Sequence, residues 1–95
     1  MTLRTVYIAH LSSDEYDRFR ERDPALPSMY PAWLSAVEAR MSALRSRGAR
    51  GALYPINFDD FIRSMEILHV QTFDEATRDR YAEDMAAADN AMSRL

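Results

Sequence analysis

TVYIAHLSSDEY, residues 5–16, is the stretch on which the fold turns. Val6, Tyr7, Ile8 and Ala9 form a short run rich in β-formers, so residues 4–11 read as a strand. No polar residue alternates with them. Both faces of such a strand are covered, as in a parallel sheet packed by helices. The run then meets Ser12-Ser13-Asp14-Glu15. Ser12 and Glu15 have the S-x-x-E spacing of a capping box, in which each side chain satisfies a free backbone N–H at a helix start. Leu11 and Tyr16 flank it at staple positions. A helix is therefore expected from about residue 13 to 22, with Tyr16 and Phe19 facing inward.

Working outward, Asp23-Pro24 ends that helix, because the residue before a proline avoids the helical region. Residues 23–29 read as a loop. A second helix opens near Tyr30-Pro31, since proline suits a first turn. Its apolar positions Tyr30, Trp33, Leu34, Val37, Met41 and Leu44 trace one helix face. Arg45 and Arg47 fall in its last turn, where the helix dipole favours cations, and Gly48 suits its C-terminal cap. Residues 51–56 read as a second strand. Pro55 cannot donate a ladder hydrogen bond, so this strand lies at an edge or stops there. Asn57 or Asp59 then caps a third helix that shows Phe58, Phe61, Ile62, Met65, Leu68 and His69 on one side. Thr72 and Glu75 repeat the capping-box spacing and open a fourth helix over about 73–93. Along it Tyr81, Met85, Ala88, Met92 and Leu95 form a short heptad-like seam, too brief for a coiled coil.

The expected order is β-α-α-β-α-α in a single small globular domain covering residues 1–95. The fold class is α+β, helix-dominated, with a minimal two-stranded parallel sheet packed by four helices. A sheet this small leaves an open edge, which proteins cover, blunt or pair with another chain. A homodimer that continues the sheet is one expectation, because small domains gain core by association.

Composition narrows the function classes. Hydrophobic residues make up 47% of the chain, which suits a globular protein rather than a disordered one. Cysteine is absent, so there is neither a disulfide framework nor thiolate chemistry, in keeping with a reducing cytoplasm. No apolar run approaches the roughly 18–20 residues that span a bilayer, and Met1-Thr2-Leu3-Arg4 lacks the apolar stretch of a signal peptide. No membrane partner is expected. All twelve basic residues are arginine, a bias of GC-rich bacterial genomes. The net charge is -3 and unevenly spread. Residues 24–56 carry Arg40, Arg45, Arg47 and Arg50 against Glu38, while residues 57–95 are strongly acidic. Nucleic acid is disfavoured as a partner, since phosphate neutralisation supplies most non-specific affinity.

Four constellations have chemical potential. At the carboxyl ends of the strands, His10, Ser12 and Ser13 would share an edge with Asn57, Asp59 and Asp60, where open α/β sheets bind ligands. His10, Ser13, Asp59 and Asp60 are the ligand-binding candidates there, able to serve acid–base chemistry. The structural account of the same residues is simpler: capping uses Ser12 and Asn57 or Asp59, and only His10 is left over. The strand-then-polar-loop form of VYIAHLSSDE resembles the opening of the nucleoside 2-deoxyribosyltransferases, in which a YxAGP-like start builds a nucleoside pocket. Here His10-Leu11 replaces Gly-Pro, only Tyr7 and Ala9 are shared, and the chain is too short for that fold, so membership is not implied.

The second group is Arg40, Arg45, Arg47 and Arg50, able to grip phosphates or an acidic partner, or simply to complement a helix end. No aromatic residues are interleaved with them, which argues against single-strand binding. The third is the acidic series Asp74, Glu75, Asp79, Glu83, Asp84 and Asp89 on the fourth helix, a surface for a basic partner or a solvated helix face. The fourth is Tyr81, Met85 and Met92 on the same helix, which pack the core or, with Glu83 and Asp84, contact a partner. There is no glycine-rich phosphate loop, no H-E-x-x-H, no Cys/His cluster and no G-x-S-x-G. No catalytic residue, metal or cofactor is assigned. The expectation is a small bacterial protein acting by contact with another protein or itself: an inhibitor, an immunity-type protein or a mobile-element accessory protein. The alternative is a ligand-binding or enzymatic domain built on His10, Asp59 and Asp60.

Overall fold

A computed structural model describes residues 4–93. Strand β1 (Arg4–His10) and strand β2 (Ala49–Pro55) pair in parallel, in register from Arg4↔Ala49 to His10↔Pro55. Helices α1 (Tyr16–Arg22) and α2 (Tyr30–Ser46) join them, and α3 (Phe58–Ile67) and α4 (Glu75–Ser93) follow β2. This is the β-α-α-β-α-α, helix-dominated α+β arrangement that the sequence pattern predicts. β2 begins at Ala49 rather than residue 51, because the ladder runs back to pair with Arg4.

Paired residues of a sheet point to the same side, so Val6, Ile8, His10, Gly51 and Leu53 share one face and Tyr7, Ala9, Ala52 and Tyr54 the other. Trp33 of α2 packs against His10 on the first face, with ring centres 5.9 Å apart and the planes tilted. Tyr54, edge-on to Tyr7 at 6.5 Å, hydrogen-bonds Asp89 of α4 on the second. The sheet thus lies between α2 and α4, which is why its strands lack polar alternation. At Gly51, a β-carbon would run into the end of the Met41 side chain, so α2 packs closely over β2 at this point and a larger residue would require Met41 to move.

The core gathers Ile8 and Leu11 from the β1 end, Phe19 from α1 and Phe61 from α3, all fully buried. Phe61 packs at 5.3 Å on Tyr81 and 6.1 Å on Phe19, tying three helices together. Beneath them lies a buried ion pair. Arg78, only 3% exposed, donates to Asp23 Oδ2 at 2.7 Å and to the Phe73 carbonyl at 2.8 Å. Removing one partner of such a pair leaves a charge unpaired in the interior, at a cost of about 3–5 kcal/mol.

Several local expectations need correction. The Ser12 hydroxyl does accept the Glu15 N–H at 3.3 Å, but Glu15 does not close the box. Its carboxylate crosses the strand ends to accept the Phe58 N–H at 3.2 Å, capping α3 instead, and α1 starts only at Tyr16. Asn57, not Asp59, is the α3 cap residue, accepting the Asp60 N–H at 3.0 Å. α3 ends at Ile67, so Leu68 and His69 leave its apolar face. His69 turns left-handed at φ 57°, and the Val70 N–H reaches back to the Met65 carbonyl at 2.9 Å, a Schellman closure. α4 is capped by Asp74 rather than Thr72. The Asp74 carboxylate accepts both the N–H and the hydroxyl of Thr77, which hold it below the usual carboxylate range. Gly48, at φ 75°, follows α2 as expected.

Candidate functional site

The strand-end edge forms as the topology requires: His10 and Pro55 are register partners, and the Ile56 N–H binds the His10 carbonyl at 3.1 Å. Its side chains are largely committed to the fold. His10 is half-buried against Trp33. Asp59 is bound by Arg18 at 2.7 Å, and the Arg18 guanidinium also covers the Phe58 ring at 4.3 Å. Asp60 lies 3.6 Å from Arg63, one turn along α3. Ser13 is exposed in the turn before α1. Among the described residues, no cluster of histidine and acidic side chains has the geometry of a metal site.

The arginine group divides. Arg40 bridges α2 to α4, bonding Asp79 at 2.7 Å and approaching Glu75 at 3.5 Å. Arg45, Arg47 and Arg50 are exposed where α2 turns into β2, and none makes an ion pair among the described residues.

The acidic series of α4 is mostly spent within the molecule. Asp74 caps the helix, and Glu75 and Asp79 hold Arg40. Asp79 Oδ1 also accepts the Ala9 N–H at 3.0 Å, so α4 closes part of the outer edge of β1. Asp89 takes the Tyr54 hydroxyl, whose pKa is raised chiefly by that bond. Asp84 faces Arg80 at 3.6 Å on the surface, and Glu83 is exposed.

The apolar seam of α4 is split by the tertiary structure. Tyr81, at 8% exposed, belongs to the core, with its remaining surface in the cleft beside α3. The buried stripe runs instead through Arg78, Ala82 and Ala86. Met85, Ala88 and Met92 therefore face solvent, Met92 with 70% of its surface open. Leu95, the last member of the expected seam, lies outside the described residues. A cleft of about 400 Å³ between the end of α3 and α4, lined by Met65, Leu68, Val70, Thr77, Tyr81 and Asp84, lies on the same flank of α4. Ile67 and Leu68 stand exposed at the end of α3. Sequence reading placed Leu68 on the inward face, but it stands at the helix cap beyond the buried Phe58, Phe61 and Met65 and is 63% exposed.

Two features escaped the sequence altogether: the Ala9–Asp79 bond and the Glu15–Phe58 cap. Both join residues far apart in sequence and have no local signature. The open sheet edge was expected from Pro55 and the small sheet, but not the exposure of Leu53 beside it. In comparisons with known proteins, no family model, no curated protein and no solved structure matches the chain.

Proposed function

We propose that this protein acts by binding another protein, as an inhibitor, immunity-type or mobile-element accessory protein, without a catalytic step of its own. The observation that carries this reading is the outward face of α4. Met85, Ala88 and Met92 run along it at helical spacing, next to a cleft floored by Met65 and Leu68. Methionine is adaptable and suits a surface that must fit a partner. Asp84, one turn before Ala88, borders the stripe and would favour a basic rim on that partner, whereas Glu83 falls on the far side of the helix. Composition supports a bacterial, cytoplasmic setting: every basic residue is arginine and cysteine is absent. No helix among the described residues is long and apolar enough to cross a membrane.

Affinity capture from host lysate tests the reading. The tagged wild-type protein should retain a stoichiometric partner, and a Met85→Glu/Met92→Glu variant with unchanged circular dichroism should lose it. A wild-type bait that retains no partner and does not self-associate would overturn the proposal. The competing ligand site at His10, Asp59 and Asp60 makes a different demand: His10→Ala would then abolish binding of a small molecule while leaving capture intact.

A further inference from the structure

The outer edge of β2 is open. In the parallel ladder, Ile56 and His10 bond across the sheet, so the even-numbered residues of β2 turn their main-chain groups toward β1. Ala49, Gly51, Leu53 and Pro55 turn theirs outward. Pro55 lacks only an N–H that would have pointed away from the sheet. The outward groups of Gly51 and Leu53 make no hydrogen bond among the described residues. The opposite edge of the sheet is different, because Asp79 occupies the Ala9 N–H there.

Beside the open edge lies a groove of about 600 Å³ between α2 and β2. Val37, Met41, Gly51 and Leu53 form its apolar part, and Leu53 is 45% exposed although it sits mid-strand. Arg45 and Arg50 line the same groove, and Arg47 stands in the turn between them. All three arginines lack a carboxylate partner among the described residues, and Glu38 is the single acid lining the groove.

We infer that this edge receives an extended, acidic segment of another protein as a third strand. Main-chain bonds to Gly51 and Leu53 would supply affinity. Alternate apolar side chains would seat on Val37, Met41 and Leu53, and carboxylates would meet Arg45, Arg47 and Arg50. A second copy of this chain fits the edge less well, because its own β2, residues 49–55, carries no carboxylate to meet these arginines. This surface is separate from the α4 stripe and holds whether or not that stripe has a partner.

The probe is a fluorescein-labelled peptide the length of β2 that alternates valine and glutamate, titrated onto the intact protein by fluorescence polarisation. Saturable binding is expected. It should weaken about tenfold or more in Arg45→Glu/Arg50→Glu, vanish when alternate peptide amides are N-methylated, and be missing for the valine–lysine counterpart. Leu53→Pro should also abolish it, since that change removes the outward N–H, as at Pro55, together with the leucine of the apolar seat, while Leu53→Ala, which keeps the N–H, should only weaken it. Met85→Glu/Met92→Glu should bind the peptide as the wild type does, which separates this test from that of the α4 stripe. Absence of saturable binding, equal binding of the valine–lysine peptide, or indifference to N-methylation would overturn the inference. So would a wild-type dimer in sedimentation that Leu53→Pro dissociates, which would assign the edge to a second copy.

Discussion

Single residues in this protein are decided by backbone handedness and by what their polar atoms meet. Gly48 and His69 both sit in the left-handed region after a helix, but only one of them is glycine. No atom crowds a β-carbon at Gly48, so Gly48→Ala isolates the conformational term and should cost about 1–2 kcal/mol. His69→Gly should have the opposite sign, raising stability by up to about 1 kcal/mol in urea unfolding. A His69 role in binding would instead show as a functional loss with that gain. Asp79 offers a second test, because one carboxylate serves both the Ala9 N–H and Arg40. Asp79→Ala should destabilise by about 1.5–3 kcal/mol. Asp79→Asn keeps an acceptor for Ala9 while losing the charge, and its urea midpoint should lie between those of Asp79→Ala and the wild type.

At the scale of elements, α2 and α4 teach opposite lessons. The α2 face was legible because its contact is made by large apolar residues, Trp33 and Val37, at helical spacing. α4 was misread because ranking residues by apolarity picked out methionines, whereas the helix meets the sheet through Ala82 and Ala86. Small side chains let a helix lie close, where a methionine would not fit. Ala82→Leu should therefore cost about 1–3 kcal/mol by overpacking, while Met92→Ala, at a side chain 70% exposed, should stay within about 0.5 kcal/mol of the wild type and Met85→Ala, 37% exposed, should cost less than about 1 kcal/mol. A thermal-denaturation series in which Met85→Ala proves more harmful than Ala82→Leu would reverse the assignment of inward and outward faces. Alternating small and acidic residues, with Asp79, Ala82, Ala86 and Asp89 recurring at helical spacing, was the signal available in advance.

For the whole molecule, the unusual composition makes alkaline stability a clean measurement. The chain has neither lysine nor cysteine, so above about pH 9 its titrating side chains are the tyrosines. Burial raises the pKa of Tyr16, whose hydroxyl donates to the Pro27 carbonyl at 2.6 Å, and the bond to Asp89 raises that of Tyr54. A raised pKa in the folded state means stability that is complete below the usual tyrosine value near 10 and lost as pH rises through the raised one. The melting temperature should fall there, and Tyr16→Phe/Tyr54→Phe should lessen that fall. An equally steep alkaline limb in the double variant would place the sensitivity in the other tyrosines.

The sequence by itself determined the order of elements, the pairing of two strands enclosed by helices, both ends of α2, the end of α1 and the start of α3. Each of these depends on neighbours within a turn or two: apolar spacing, a proline, a capping side chain, a glycine. Only the tertiary structure decided which face of α4 is buried, that Glu15 caps α3 and Asp79 closes the β1 edge, and that the β2 edge stays open beside unpaired arginines. Those outcomes depend on residues distant in the chain meeting in space, where close packing and the satisfaction of buried hydrogen-bonding groups override local apolarity.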